Sequence, residues 1–519
     1  MQKKQLIVVG LVLAQFAFYG CKKATEVTSP ELLPGQKNQT SISSGSLVVE
    51  SLTGPITSTE ISAFKTYMAD VSTPSNNDQN TWVFGNPGKA IEACGLMYEA
   101  TFDINILNRM IFYCDEALSG RNDLASVGDG GQRTLWTGNI EPVWPSSGTG
   151  VSPAQAGVEQ GQVLAHLAYC AKLILQNPAI WTTTVSIGDP YSYGTNYKAR
   201  ALKYISESDY VIDNWIIPNF VRVSDKKLYF PGSPNTYKPN GAAPWNQMFM
   251  VTNGLIRLVQ CHVILSDAAT RVTNYDSIVQ SNIDWFKANL TSNTSVTGSA
   301  CWNWNYELTG GTEDTNHAAY DAEGMWIAYN SGRYSMSLND IKYMANTYFD
   351  LVLKTITGGI YAGRVDGTTG TGNASGDGYV RGEYYYLGDV RKDKYFIAAN
   401  INISKGLVAN SPAVASRILW LKNRRYQAGD GDVKLYQNCS YTGWNANFEI
   451  GNFNMAALVA AGGLNDANSA LRVPPGLKVT LYKDNNYLGS NVAFTADDSC
   501  LSDNAIDDVT SSLKVELIP

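Results

Sequence analysis

Two stretches near the C-terminus repeat one pattern, and no other feature of this 519-residue chain restricts its folding as strongly. The first runs VKLYQNCSYTGWNANFEI from Val433, and the second runs VTLYKDNNYLGSNVAFTA from Val479. Each opens on an alternating strand. Each then sets two tyrosines with four residues between them and glycine just beyond: Tyr436, Tyr441 and Gly443 in one, Tyr482, Tyr487 and Gly489 in the other. Each closes on a polar turn and a second alternating strand, at Ala470–Val473 and Leu513–Val515. Alternation at period two turns one row of side chains into a core. The paired aromatics pack over a tight fold-over, where glycine supplies the backbone conformation.

This arrangement resembles the paired Greek keys of the βγ-crystallin family over residues 431–519. The resemblance implies a small all-β domain and, at the end of each motif, a Ca²⁺ sequence of the form (N/D)(N/D)xx(S/T)S. Asp507-Asp508-Val509-Thr510-Ser511-Ser512 matches it throughout, which implies Asp507, Asp508, Ser511 and Ser512 as ligands. Asn465–Ala470 departs at its last place, where Ala470 replaces serine. Carboxylate, hydroxyl and carbonyl oxygens are the donors Ca²⁺ takes. A structural Ca²⁺ is therefore the expected cofactor here, and none is expected for catalysis.

The N-terminus reads as an address. A short basic MQKK precedes the apolar QLIVVGLVLAQFAF, and YGC ends on Cys21, which resembles a bacterial lipoprotein signal. Residues 1–21 are expected to be a leader with Cys21 lipidated, and 22–50 a Ser/Thr/Pro-rich tether. The expected setting is an exported lipoprotein of the outer membrane, monomeric and touching membrane only through its anchor. A formal net charge of −7 argues against nucleic acid as a partner, because phosphate binding needs a basic surface. The remaining cysteines form no CxxC pair and no metal spacing with histidine. The sequence assigns no disulfide.

Residues 51–430 change to helical periodicity. The spacing predicts helices over Ser58–Ala69, Ala100–Ser119, Gly157–Gln176, Ala199–Asn214, Met248–Ala268, Tyr275–Leu290, Asn316–Tyr329, Leu338–Leu353 and Pro412–Asn423. Long Gly-, Trp- and Asn-rich loops separate them. A mainly α fold follows, an (α/α) barrel or toroid of helical hairpins around a cleft.

Polar residues that interrupt the apolar pattern mark the cleft. The stretch Glu313–Gly324, EDTNHAAYDAEG, holds one of only three histidines. On a helix Asp314, His317 and Asp321 share one face, while Glu313, Asn316 and Tyr320 line the next. Glu159, Gln162 and His166 repeat the same spacing. Asn246 is placed to cap a helix. Trp136, Trp144, Trp302 and Trp304 sit in loops, where an indole can stack on a sugar or simply anchor the loop. GDGYVRGEYYYLGDVR (Gly376–Arg391) adds two arginines and four tyrosines.

The runs LNRMIFYCDEALSGRND, LWTGNIEPVWP, EQGQVLAHLAYCAKLIL and EDTNHAAYDAEGMW together resemble polysaccharide lyase family 38. The resemblance implies an (α/α) barrel acting on an anionic polysaccharide, glucuronan or mannuronate-rich alginate. A β-elimination needs donors for the C5 carboxylate, a base for the C5 proton and an acid for the leaving O4. Asn316 and His317 match the tandem Asn-His of helical-barrel alginate lyases. For the arginine, Arg381 and Arg364 compete; for the tyrosine, Tyr379, Tyr384 and Tyr385. His166, Glu159, Asn246, Trp136, Arg364 and Glu313 are expected along the substrate. Two other readings stay open. A glycoside hydrolase would pair carboxylates drawn from Glu313, Asp314, Asp321 and Glu383. A non-catalytic glycan-binding lipoprotein would use the loop tryptophans alone.

Overall fold

The computed structural model describes residues 45–73, 86–127, 130–355, 359–376 and 381–518. The leader with Cys21, most of the tether and Tyr379 lie outside the described residues. The fold is mainly α-helical, with a small antiparallel β region at its C-terminal end.

Helix α1 (Ser58–Asp70) starts on a capping box in which Thr57 and Glu60 satisfy each other's backbone amides. Glu60 is also fully buried against Lys422, at 2.9 and 3.0 Å. That buried ion pair ties α1 to the last helix before the β region, α11 (Pro412–Ala428). The helix expected over Ala100–Ser119 is instead two. Phe102 turns into the left-handed region (φ 54), and Asp103 caps a new start by accepting from the Asn105 amide. Helices α2 (Asn86–Thr101) and α3 (Ile104–Ser119) result. Most of α2 has no counterpart among the expected helices, because it is buried on all sides from Gly88 to Tyr98 and so shows no polar face.

Next come α4 (Gln160–Leu175), α5 (Tyr197–Val211), α6 (Trp245–Leu265), α7 (Ala269–Lys287), α8 (Thr315–Ser331), α9 (Leu338–Asn346) and α10 (Lys392–Ser404). Wider turns prolong α5 and α9, at Ile212–Ile216 and Thr347–Val352. Helix α6 is apolar and long enough to cross a membrane, but it is the buried centre of this region, packed on α4, α7 and α8. Its closest approach is to α4. A Cβ on Gly161 would lie 2.4 Å from the Val251 backbone, so only glycine lets these two helices meet there. The 3-10 stretch Gly382–Asp389 packs on both α8 and α11, and α11 packs on α2.

Two short pairs of strands lie within the helical region, β1 (Thr291–Thr294) with β2 (Ala300–Asn303) and β3 (Leu353–Thr355) with β4 (Ile360–Tyr361), and the β region contains one sheet of three strands and one of four. The first repeat supplies β5 (Val433–Asn438), β6 (Thr442–Phe448), β7 (Gly451–Phe453) and β8 (Ala470–Arg472). The second supplies β9 (Leu477–Asp484), β10 (Leu488–Phe494) and β11 (Ser512–Leu517). Leu435 pairs with Leu471, and Val479 with Val515, so the alternating apolar rows meet in register. The repeats also exchange strands. β7 pairs with β11 through Phe453 and Leu513, while Asp498 of the second repeat bridges Leu471 of the first. That crossing is Greek-key-like. The tyrosine pairs stand edge to face, with centroids 5.4 and 5.9 Å apart, and Gly443 and Gly489 take φ of 82° and 76°. A disulfide, Cys439–Cys500, links the two repeats.

Candidate functional site

The start of α8 is built around Asp314. Its Oδ1 accepts from the backbone amides of Asn316 and His317 at 3.1 and 3.0 Å, capping the helix. Its Oδ2 takes His317 Nδ1 at 2.8 Å. In the neutral imidazole that contact places the proton on Nδ1. Asn316 Oδ1 accepts from the Arg381 guanidinium, which joins α8 to the residue just before the Gly382–Asp389 stretch. One turn on, the half-buried Tyr320 sets its ring 6.0 Å from the same guanidinium. Burial raises the Tyr320 hydroxyl to about 12, against the pull of Arg381. Glu313, Asp314 and His317 bring ligand atoms within 4.8 Å of one another, a donor set that suits a divalent cation.

Facing this helix is a buried polar cluster drawn from five more elements. Arg257 of α6 grips Glu92 of α2 with two bonds, at 2.5 and 2.9 Å, and the Tyr386 hydroxyl donates to the same carboxylate at 3.0 Å. Burial would raise Glu92, but Arg257 outweighs it and holds the carboxyl well below its usual range. His166 of α4 sets Nδ1 3.3 Å from Glu92, without the alignment of a hydrogen bond. Burial lowers the His166 pKa despite that carboxylate, so the ring stays neutral around pH 7. Arg417 of α11 pairs with Glu323 of α8 at 2.8 Å. Burial pushes Glu323 up to about 7, whereas Lys89, Arg417 and Arg381 outweigh burial at Glu383 and pull it to about 2.

The cluster sets Lys89, Arg257, Arg381 and Arg417 against Glu92, Glu323 and Glu383, all at least nine-tenths buried. With Glu323 close to half protonated at neutral pH, the balance is cationic. Several buried polar atoms there have no hydrogen-bond partner among the described residues: Gln162 Oε1, both His166 ring nitrogens, Asn246 Oδ1, Asn253 Oδ1, Glu383 Oε2 and Arg417 Nε. Unpaired groups of this kind are costly in a finished core and ordinary in a ligand site.

The structure thus brings Asn316, His317 and Arg381 together, keeps Glu313 3.8 Å from His317, and commits most of the other candidates to partners elsewhere. Tyr384 and Tyr385 are buried, and their hydroxyls donate to the carbonyls of Thr315 (2.7 Å) and Ala398 (2.9 Å), so neither is poised to donate to a sugar. Arg364 lines an open cavity of about 730 Å³ with Tyr306, Thr312, Asp314 and Asp366, and the Tyr306 ring lies 5.0 Å from that of His317. Glu313 is buried and accepts from the Asp314 amide, and Asp321 is buried on the Trp304 indole at 2.8 Å. Burial raises Asp321 to about 8. Glu159 accepts from the Gly157 amide at the start of α4. Asn246 does not cap α6; it is the second residue of that helix, and its side chain is buried. Trp136 and Trp144 anchor loops, each donating its indole N–H to a main-chain carbonyl, and Trp136 leans on Trp215.

Lys89, Glu92, Arg257, Glu323 and Arg417 were missing from the sequence-based site. Arg257 alone is a charge inside an apolar helix, and that was the available signal; Arg417 and Glu323 lie in helices rich in polar residues, and the α2 pair in one buried on every side.

In the β region the two motif ends face each other. Ser469 Oγ donates to Asp508 at 3.1 Å, and Ser511 Oγ to Asp466 at 3.2 Å. Ser512 is buried, with its hydroxyl committed to Asp484 O and the Tyr487 amide, so its oxygen serves the fold-over rather than an ion. Asp507 Oδ1, the Asn468 amide and Thr510 Oγ1 have no hydrogen-bond partner among the described residues.

No family model matches the chain, and no curated protein matches it. Its similar solved structures are βγ-crystallin domains. One from Flavobacterium johnsoniae is 36% identical, with 16% of this chain and 93% of that chain covered and a TM-score of 0.16. One from Clostridium beijerinckii is 28% identical, with 16% and 95% covered and the same TM-score of 0.16. The N-terminal domain of protein S is 27% identical, with 17% and 98% covered, again at 0.16. The likeness is loose and partial, and it concerns the small C-terminal β region.

Proposed function

We propose that this protein is a lyase that cleaves a uronic-acid polysaccharide, glucuronan or mannuronate-rich alginate, by β-elimination. The observation that carries the reading is the hydrogen bond between Asn316 and Arg381, set beside His317 and under the Tyr320 ring. Two amide or imidazole donors and a guanidinium at one place are what a uronate carboxylate needs as its α-carbon loses a proton and charge builds on its oxygens. The helical scaffold is read as an (α/α) toroid. In support, α2, α4, α6, α8, the Gly382–Asp389 stretch and α11 pack in succession, with α11 returning to α2.

In this reading Asn316, Arg381 and a protonated His317, whose Nδ1–H stays on Asp314 while Nε2–H faces the sugar, hold the C5 carboxylate and stabilise the enolate-like intermediate. His166, kept neutral by burial, accepts the C5 proton. Tyr320, kept protonated, gives its proton to O4 as the C4–O4 bond breaks and the C4–C5 double bond forms. In glucuronan and mannuronan the C5 hydrogen and O4 lie on one face of the sugar, so base and acid are wanted on one side. In support, Gln162, one turn before His166 on α4, lies beside the Tyr320 hydroxyl. Asp314 orients His317 and is not itself a nucleophile. The proposed setting is a lipid-anchored exported monomer. The proposed Ca²⁺ of the β region is supported by the unpartnered atoms of Asp507, Asn468 and Thr510.

One observation favours a second reading. Glu323 at about 7 and Glu383 at about 2 are carboxylates driven apart by their surroundings, as a hydrolase's acid and base would be. The test is direct. Incubation with a panel of uronans yields ultraviolet-absorbing unsaturated ends if the chain is a lyase, and new reducing ends without that absorbance if it is a hydrolase.

A further inference from the structure

Among the described residues of the helical region, the deeply buried cations come with hydrogen-bond partners, except one. Arg257 has Glu92, Arg417 has Glu323, Arg381 has Asn316, and Lys422 has Glu60. Lys89, in the first turns of α2, is only 9% exposed, yet its ammonium makes no hydrogen bond or ion pair among the described residues. Two guanidiniums, Arg381 and Arg417, and the carboxylates of Glu383 and Glu323 surround it. Glu383 itself keeps one buried oxygen unbonded. A mostly buried ammonium that makes no hydrogen bond of its own and shares two carboxylates with two guanidiniums is under-compensated. Its physical reward is an anion brought from outside.

That anion is distinct from the one assigned above. A carboxylate offers two oxygens, and Asn316, His317 and Arg381 already supply donors for both. Lys89 stands on another wall, on α2, which packs against α4 and α11. We propose that Lys89 is a second carboxylate contact, holding the uronate next to the one gripped by Asn316, His317 and Arg381. The cleft would thereby select chains of consecutive uronates over chains in which a uronate alternates with a neutral sugar. The proposal rests on the lyase reading and narrows its substrate class.

The experiment is calorimetric titration of the full chain carrying Tyr320→Phe, so that bound sugar is not cleaved. Two ligands of equal length are compared, a homo-oligouronate and an oligosaccharide alternating glucuronate with neutral hexose. Adding Lys89→Met is expected to weaken the first about tenfold, the value of one charge-assisted contact, and the second less than about twofold. Circular dichroism and Tm of the variant are recorded alongside, because Glu383 loses a neighbouring cation in it. If Lys89→Met does not fold, Lys89→Gln takes its place. Equal losses on both ligands, or no loss on the homo-oligouronate, overturn the Lys89 assignment and leave the lyase reading standing. Failure of the parent to bind any oligouronate overturns both.

Discussion

The two regions of this protein hold their informative residues in opposite ways. In the C-terminal β region they are close in sequence. Tyr436, Tyr441 and Gly443 lie within one hairpin, and so do Tyr482, Tyr487 and Gly489. In the helical region the cluster at the cleft draws Lys89, His166, Arg257, Asn316, Arg381 and Arg417 from across more than 300 residues. A local pattern specifies a fold-over by itself. A distributed one specifies a site only after the helices have packed, so single substitutions in the two regions should fail differently.

The largest effect is expected from Arg381→Ala. Losing the guanidinium should cut uronan cleavage about 100- to 1,000-fold while the circular dichroism of the chain stays unchanged. A loss of helical signal instead would make Arg381 a folding residue and erase the contrast. Tyr320→Phe and His166→Gln should each cost roughly 100-fold or more in kcat, with a smaller change in KM. The pH profile sharpens this. The base must be neutral, and burial lowers the His166 pKa, so activity should persist below pH 6.5 and fall only as pH drops through that lowered value. An acid limb at or above the ordinary histidine range would point away from His166.

The β region should respond in stability alone. Reducing Cys439–Cys500, which spans 61 residues and links the repeats, is expected to cost about 2–4 kcal/mol in the unfolding of that region. Cleavage by the helical region should persist. Gly443→Ala forces a left-handed residue and brings a Cβ within 2.5 Å of the Gln437 Cβ, for about 1–2 kcal/mol or more. Denaturation followed by tyrosine fluorescence would read it. A matching loss of lyase activity in either case would join the two regions functionally.

The smallest effect concerns the helical region away from the cleft. His262 at the end of α6 sits between Asp209 (3.1 Å) and Asp267 (2.6 Å), which raise its pKa against the opposing effect of burial. A raised folded pKa means the protonated ring stabilises the fold. That contribution is full below the unfolded value near 6.5 and is lost as pH rises through the folded value. His262→Gln should remove this slope from a plot of Tm against pH and leave cleavage unchanged.

The same contrast accounts for what the sequence disclosed. The aromatic and glycine spacing of the repeats needed no long-range information, and the strand pairing follows it. The disulfide did not show, because Cys439 and Cys500 occupy different places in their repeats and meet only through the strand exchange. In the helical region Asn316 and His317 stood out as a dense polar cluster, and Arg381 as a charge in a glycine-rich run. The tyrosine did not: Tyr384 and Tyr385 are more conspicuous than Tyr320, yet their hydroxyls are committed to backbone carbonyls. Lys89 and Glu92 were hidden because a helix buried on every side has no hydrophobic period to interrupt.

The account stands or falls on one measurement. The full chain, incubated with glucuronan and with mannuronate-rich alginate, is followed by ultraviolet absorbance and by reducing-end assay together. The account predicts that both signals rise in step on at least one uronan and that Arg381→Ala abolishes both. Reducing ends appearing without absorbance would contradict it, as would a chain that releases neither.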